Sequence, residues 1–116
     1  MALCSFLSTM IAIKIKPLSV NQAWQGKRFK TPAYKSYEEE LLFKLPALEI
    51  PDGNLALTIN VAFSNKQSDL DNILKPFLDI LQKKYGFNDS RIYQLNVTKL
   101  ICKKGAEFIG FEFHRA

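Results

Sequence analysis

Between residues 54 and 81 the hydrophobic period changes once, from two to 3.6, and that change limits what the chain can fold into. Over 54–64, Leu55, Leu57, Ile59, Val61 and Phe63 alternate with Ala56, Thr58, Asn60, Ala62 and Ser64, the pattern of a strand with one buried face. A short polar link, 65–68, follows. Then Leu70, Ile73, Leu74, Phe77, Leu78 and Leu81 recur at helical spacing and predict a helix, buried on one side, that runs to about Tyr85. Its core side is thereby accounted for. Asp69, Asp71, Asn72, Lys75 and Asp79 form a polar set that packing does not explain.

The flanks add further elements. Residues 11–16 alternate Ile11, Ile13 and Ile15 with Ala12, Lys14 and Lys16 until Pro17 stops the strand. Residues 17–33 read as irregular. Over 34–45, Tyr34, Tyr37, Leu41, Leu42 and Leu45 share one side of a first helix, which Pro46 ends. Turns are expected at 51–54 and 86–90. Residues 92–102 and 107–114 predict two more strands, with Lys103, Lys104 and Gly105 between them as a hairpin turn. This order describes a single small α+β domain. Its roughly four-stranded sheet is mixed if the strand, helix, strand unit pairs in parallel, with two helices on one face and an antiparallel hairpin at the end. The domain spans 10–116. Met10 sits just before the first strand, so residues 1–9 read as an extension outside the core. They are too short to cross a bilayer and lack the basic n-region of a signal peptide.

At 116 residues and 47% hydrophobic, the chain can bury one core of modest size. Sixteen Lys plus Arg against eleven Asp plus Glu leave a net charge of +5, which favours polyanionic partners, nucleic acid first among them. Residues 17–33 concentrate this character. Lys27, Arg28 and Lys30 are interleaved with Trp24 and Phe29, a mixture suited to phosphate contact and base stacking, although a solvated loop with a docked Trp has the same composition. Cys4 and Cys102 lie far apart with no CxxC or Cys/His cluster, which argues against a zinc site or a disulfide framework and for a reduced, cytoplasmic chain.

The acids allow a sharper reading. Residues two apart point the same way in extended chain but stand about 200° apart on a helix, so Asp69 and Asp71 converge only if Asp69 is still extended. Asp71 or Asn72 then caps the helix, Pro76 falls near the end of its first turn, and Lys75 follows Asp71 by one turn on the same side. Asp89 lies in the turn after the helix. If the next strand pairs beside 54–64, Asp89 is expected to return to the level of Asp69 and Asp71. Three carboxylates at one place repel unless a divalent cation joins them, and oxygen-only ligands select Mg2+ or Mn2+. In a basic protein such a site suits phosphodiester hydrolysis. Each acid also has an ordinary use: Asp71 as a cap paired with Lys75, Asp69 and Asp89 as turn residues, Asp79 as a surface partner of Lys83.

The string DLDNILKPFLDIL, followed by GFNDSRI, resembles the RusA family of Holliday junction resolvases, the crossover junction endodeoxyribonucleases of bacteria, their phages and prophages. Residues 17–21, PLSVN, and the basic loop up to Tyr37 look like that family's N-terminal half. The resemblance implies a homodimeric, Mg2+-dependent endodeoxyribonuclease, with Mn2+ as a substitute ion. It would resolve four-way (Holliday) DNA junctions by paired phosphodiester hydrolysis in recombination and repair, away from any membrane. It carries catalytic roles onto Asp69, Asp71, Lys75 and Asp89, with Asp69, Asp71 and Asp89 as metal ligands. Lys27, Arg28 and Lys30, together with Lys66 and Arg91 beside the acids in sequence, are the candidate DNA contacts. Family members often have two acids where this chain has Asn88 and Asp89, and a proline pair where it has Pro17 alone. A non-catalytic junction-binding module, or a metal nuclease of wider branched-DNA or RNA scope, is the alternative.

Overall fold

The computed structural model describes residues 10–19, 24–25 and 29–116. In chain order its elements are β1 (Ile11–Lys14), β2 (Trp24–Gln25), β3 (Phe29–Lys30), α1 (Pro32–Lys44), β4 (Leu55–Phe63), α2 (Leu70–Tyr85), a 3-10 turn at Asp89–Arg91, β5 (Ile92–Ile101) and β6 (Phe108–Arg115). Every strand and helix expected from the hydrophobic pattern forms, with ends displaced by one or two residues. The segment read as irregular also holds a small antiparallel ladder, in which Trp24 faces Lys30 and Gln25 faces Phe29.

β4 is the centre of a four-stranded sheet ordered β1-β6-β4-β5. It runs parallel to β5 and antiparallel to β6, so the sheet is mixed. The last two strands do run in opposite directions and are joined by a tight turn, but β4 lies between them, so they form no direct hairpin ladder. The physical reason is β4 itself. Leu55, Leu57, Ile59 and Val61 are fully buried, and a strand that deep must satisfy backbone groups along both edges. The crossover through α2 delivers β5 to one edge, and the 103–105 turn then carries the chain past the end of β4 to the other. Two backbone bonds mark the passage, Cys102 N–H to the Phe63 carbonyl at 2.8 Å and Ala106 N–H to the Lys103 carbonyl at 2.9 Å.

Both helices cover the face bearing Leu55, Leu57, Ile59 and Val61. α1 starts two residues earlier than its apolar period suggests because Thr31 caps it, its hydroxyl accepting from Tyr34 N–H at 3.1 Å, with Pro32 in the first turn, where no amide is needed. It buries Tyr34, Tyr37 and Leu41. α2 buries Ile73, Pro76, Phe77, Ile80 and Leu81, while Leu70, Leu74 and Leu78 pack at the margin. Pro76 lies in the second turn, not the first, and its missing amide leaves the Asn72 carbonyl without its helical donor. Gly86, at φ +69°, closes α2 in the left-handed conformation that glycine adopts without strain. Edge-on aromatic contacts join helix to sheet, Phe77 to Phe111 at 5.8 Å and Phe113 to Tyr85 and Phe87 at 6.1 and 5.4 Å. α1 and α2 are tied by Lys83 to Glu38 at 3.0 Å and by the Tyr85 hydroxyl, which donates to the Pro46 carbonyl at 2.7 Å.

Candidate active site

The corner where β4 hands over to α2 is held by side chains that carry no catalytic role. Beyond Phe63 the chain folds around Asn65, whose Oδ1 accepts from the amides of Gln67 and Ser68 at 3.1 and 2.9 Å and from the Ser68 hydroxyl at 2.9 Å. An asparagine used in this way replaces a backbone turn. From the neighbouring strand, Lys99 reaches across and donates to the carbonyls of Lys66 and Ser68 at 2.7 and 2.6 Å, its ammonium 5.6 Å from the Phe63 ring centre. The link is therefore fastened to β5 as well as to itself.

This fastening fixes the conformation on which the i, i+2 argument depends. Asp69 is extended, φ −100° and ψ 135°, and is itself the N-cap of α2 in place of Asp71 or Asn72. Its carboxylate makes no capping hydrogen bond. Asp71 lies exposed in the first turn, and Lys75 follows one turn later with its side chain 65% exposed. Lys75 reaches forward to Asp79 at 3.6 Å, so Asp79 pairs with Lys75 and not with Lys83, which Glu38 occupies. That contact is long and wet, and it leaves the ammonium available to a phosphate. Lys66 is exposed at the tip of the same link. Two carboxylates, unengaged by other described residues, form an oxygen donor set suited to a hard divalent cation.

Asp89 lies elsewhere. It opens the 3-10 turn before β5, and because β5 runs parallel to β4, that turn stands at the start of β4, where Ile92 faces Leu55. Asp69 and Asp71 follow the other end of β4. The eight rises of ~3.3 Å between its nine residues separate those ends by ~26 Å. The expected return of Asp89 to the level of Asp69 and Asp71 is thus corrected: a parallel neighbour reached through a helix starts at the far end of the sheet. Among the described residues no three of His, Cys, Asp and Glu gather closely enough to hold a metal ion. At its own end Asp89 is exposed, its amide donating to Gln82 Oε1 at 3.0 Å. Arg91 turns away from it, donating to the carbonyls of Gly53 at 3.0 Å and of Pro51, and so clamps the turn before β4.

Of the basic loop, Lys27 and Arg28 lie outside the described residues, as do residues 1–9, and Lys30 is placed by its backbone in β3. Lys99 was not singled out by the sequence reading. The available signal was its position, the only charge within an otherwise uncharged strand from Ile92 to Ile101.

A basic α+β domain with two carboxylates and a lysine at a strand-to-helix corner has the oxygen ligands and the positive charge that phosphodiester chemistry uses. The comparison with known families is more specific: the family model described as Endodeoxyribonuclease RusA matches residues 16–109, and the chain belongs to that family of Holliday junction endodeoxyribonucleases. No curated protein matches the sequence. No helix among the described residues is long and apolar enough to cross a membrane.

Proposed function

We propose that this chain is a Mg2+-dependent endodeoxyribonuclease, active as a homodimer in the cytoplasm, that resolves four-way DNA junctions by paired phosphodiester hydrolysis during recombination and repair. The observation that carries the reading is the corner itself: Asp69 held extended, Asp71 in the first helical turn and Lys75 one turn on, in a member of the RusA family. Asp69 and Asp71 would hold the ion, with Mn2+ as a substitute. Bound there, the ion supplies Lewis-acid polarisation of the phosphate and an activated water. The residues of the chain do the rest. Lys75 sets its ammonium against the charge that develops on the phosphoryl oxygens, while Lys66 and the basic loop hold the DNA backbone at the corner. Asp89 keeps a role as a metal ligand only if it reaches that corner from another chain. Domain limits of 10–116, with residues 1–9 outside the catalytic unit, complete the proposal.

Cleavage of synthetic four-way, three-way, flap and linear duplex DNA, with and without Mg2+, tests it. The expected result is symmetrical nicking of the four-way junction that requires the ion. Equal rates on all four substrates would instead identify a general nuclease, and binding of the junction with no cleavage in Mg2+ or Mn2+ would identify a binding module.

A further inference from the structure

The turn between β5 and β6 carries two adjacent lysines that its backbone does not require. Ala106 N–H donates to the Lys103 carbonyl at 2.9 Å, and Gly105, at φ +92°, supplies the left-handed residue at the third position of the turn. The first two positions make no such demand, yet both are lysine. Lys103 and Lys104 are exposed, and among the described residues no carboxylate forms an ion pair with either. The nearby acid Glu107 is buried and accepts from the Gly105 amide at 2.9 Å, so it braces the turn instead of pairing with its lysines. Other lysines of the chain are occupied: Lys44, Lys84 and Lys99 donate to backbone carbonyls, and Lys83 pairs with Glu38.

Register places this turn at the acid end of the sheet. Ile101, the last residue of β5, faces Phe63, the last of β4, and Cys102 N–H donates to the Phe63 carbonyl at 2.8 Å. From that common level, on strands ~4.8 Å apart, β4 leads through Lys66 to Asp69 and Asp71, while β5 leads directly to Lys103. We propose that the 103–105 turn is a DNA contact additional to the basic loop, in which Lys103 and Lys104 hold backbone phosphates of a junction arm beside the acid corner. Lys66 in the link and Lys75 early in α2 are exposed as well, so four ammonium groups are presented around this end. Like charges gathered in this way repel one another, and a phosphate backbone relieves the repulsion. Contacts of this kind carry no base sequence, so the turn adds affinity and orientation without sequence preference. Because Glu107 already holds the turn in place, little order is lost when it binds. The choice of DNA as the polyanion rests on the function proposed above.

Binding of the full chain to a synthetic four-way junction, followed over a range of KCl without divalent ions, tests the contact. Lys103→Ala/Lys104→Ala is expected to weaken binding and to lower the magnitude of the log–log salt slope by about 2 for each copy bound, whereas Lys103→Arg/Lys104→Arg keeps the wild-type slope. Lys44→Ala/Lys84→Ala removes the same charge from lysines already bonded to the carbonyls of Lys14 and Leu42, and its slope is expected to match the wild type. An unchanged slope in the first variant, or an equal loss in Lys44→Ala/Lys84→Ala, overturns the contact. Circular dichroism checks that each variant folds, and Lys103→Gln/Lys104→Gln serves if the alanine pair does not. If the wild type binds the junction but leaves it uncut in Mg2+, the nuclease reading falls and the slopes still decide the contact. If the wild type binds no DNA, both fall together.

Discussion

Lys99 and Asn65 fasten the link that leads into Asp69 and Asp71, although neither is acidic. Two carboxylates two residues apart point together only while the first remains extended, and the 65–68 link holds Asp69 there through five hydrogen bonds, three accepted by Asn65 and two donated by Lys99. Replacing Lys99 with Met keeps the aliphatic stem near Phe63 and removes only the charge and its donors. The expected cost is about 1 kcal/mol of stability, since the bonds are charge-assisted but partly exposed. Junction cleavage is expected to fall by about tenfold, the usual effect of losing a group that orients a ligand. Denaturant unfolding and initial nicking rates measure the two, and a rate unchanged from wild type would remove Lys99 from the positioning role. At this scale the sequence was informative about Asp69 and Asp71, because the spacing rule is local. It was silent on Lys99, whose partners lie 31 and 33 residues away in the chain.

At the scale of elements, the periods of β4 and α2 were legible because burial writes them directly into the residue order. Pairing was less so. The 103–105 turn correctly implied that β5 and β6 run in opposite directions, but which strand sits beside which is decided by β4, whose buried backbone needs a partner at each edge. The same limit explains Asp89: its turn was legible, whereas its end of the sheet followed only from the parallel pairing of β5. The turn before β6 has its own internal support. Glu107 is the one buried acidic side chain among the described residues. Hydrogen bonds from its own amide, the Ser64 hydroxyl and the Gly105 amide, with the charge of Lys16, hold its carboxyl below the ordinary value of 4.5 against the opposing effect of burial. A carboxyl with a depressed folded-state pKa stabilises the protein above its unfolded-state value, and that stabilisation is lost as pH falls through the depressed one. Glu107→Gln should therefore be less stable than wild type by a constant margin above about pH 5, the margin shrinking as the pH drops below 4.5. Chemical denaturation across that range checks it, and a margin independent of pH would show that the carboxylate charge contributes nothing.

Over the whole molecule, the +5 charge and the acid corner pull in opposite directions, and a polyanionic substrate requires both. On the proposed metal reading the acids would repel phosphate until a cation neutralised them, so affinity would come from lysines and arginines placed around them. Changing Lys27, Arg28 and Lys30 together to Ala is expected to weaken junction binding and to lower the magnitude of the log–log salt slope by about 2 to 3, close to one per lost phosphate contact. An unchanged slope would return that loop to the role of a solvated connection. Affinity and chemistry should therefore separate on mutation, with the basic loop governing the first and the corner the second. The most direct measurement is made on Asp71→Asn with a synthetic four-way junction in Mg2+, following binding and nicking in the same samples. The account predicts nicking reduced by roughly 100-fold or more, the scale of losing one preorganised electrostatic group, with junction affinity equal to or greater than that of the wild type. Nicking at the wild-type rate would contradict it.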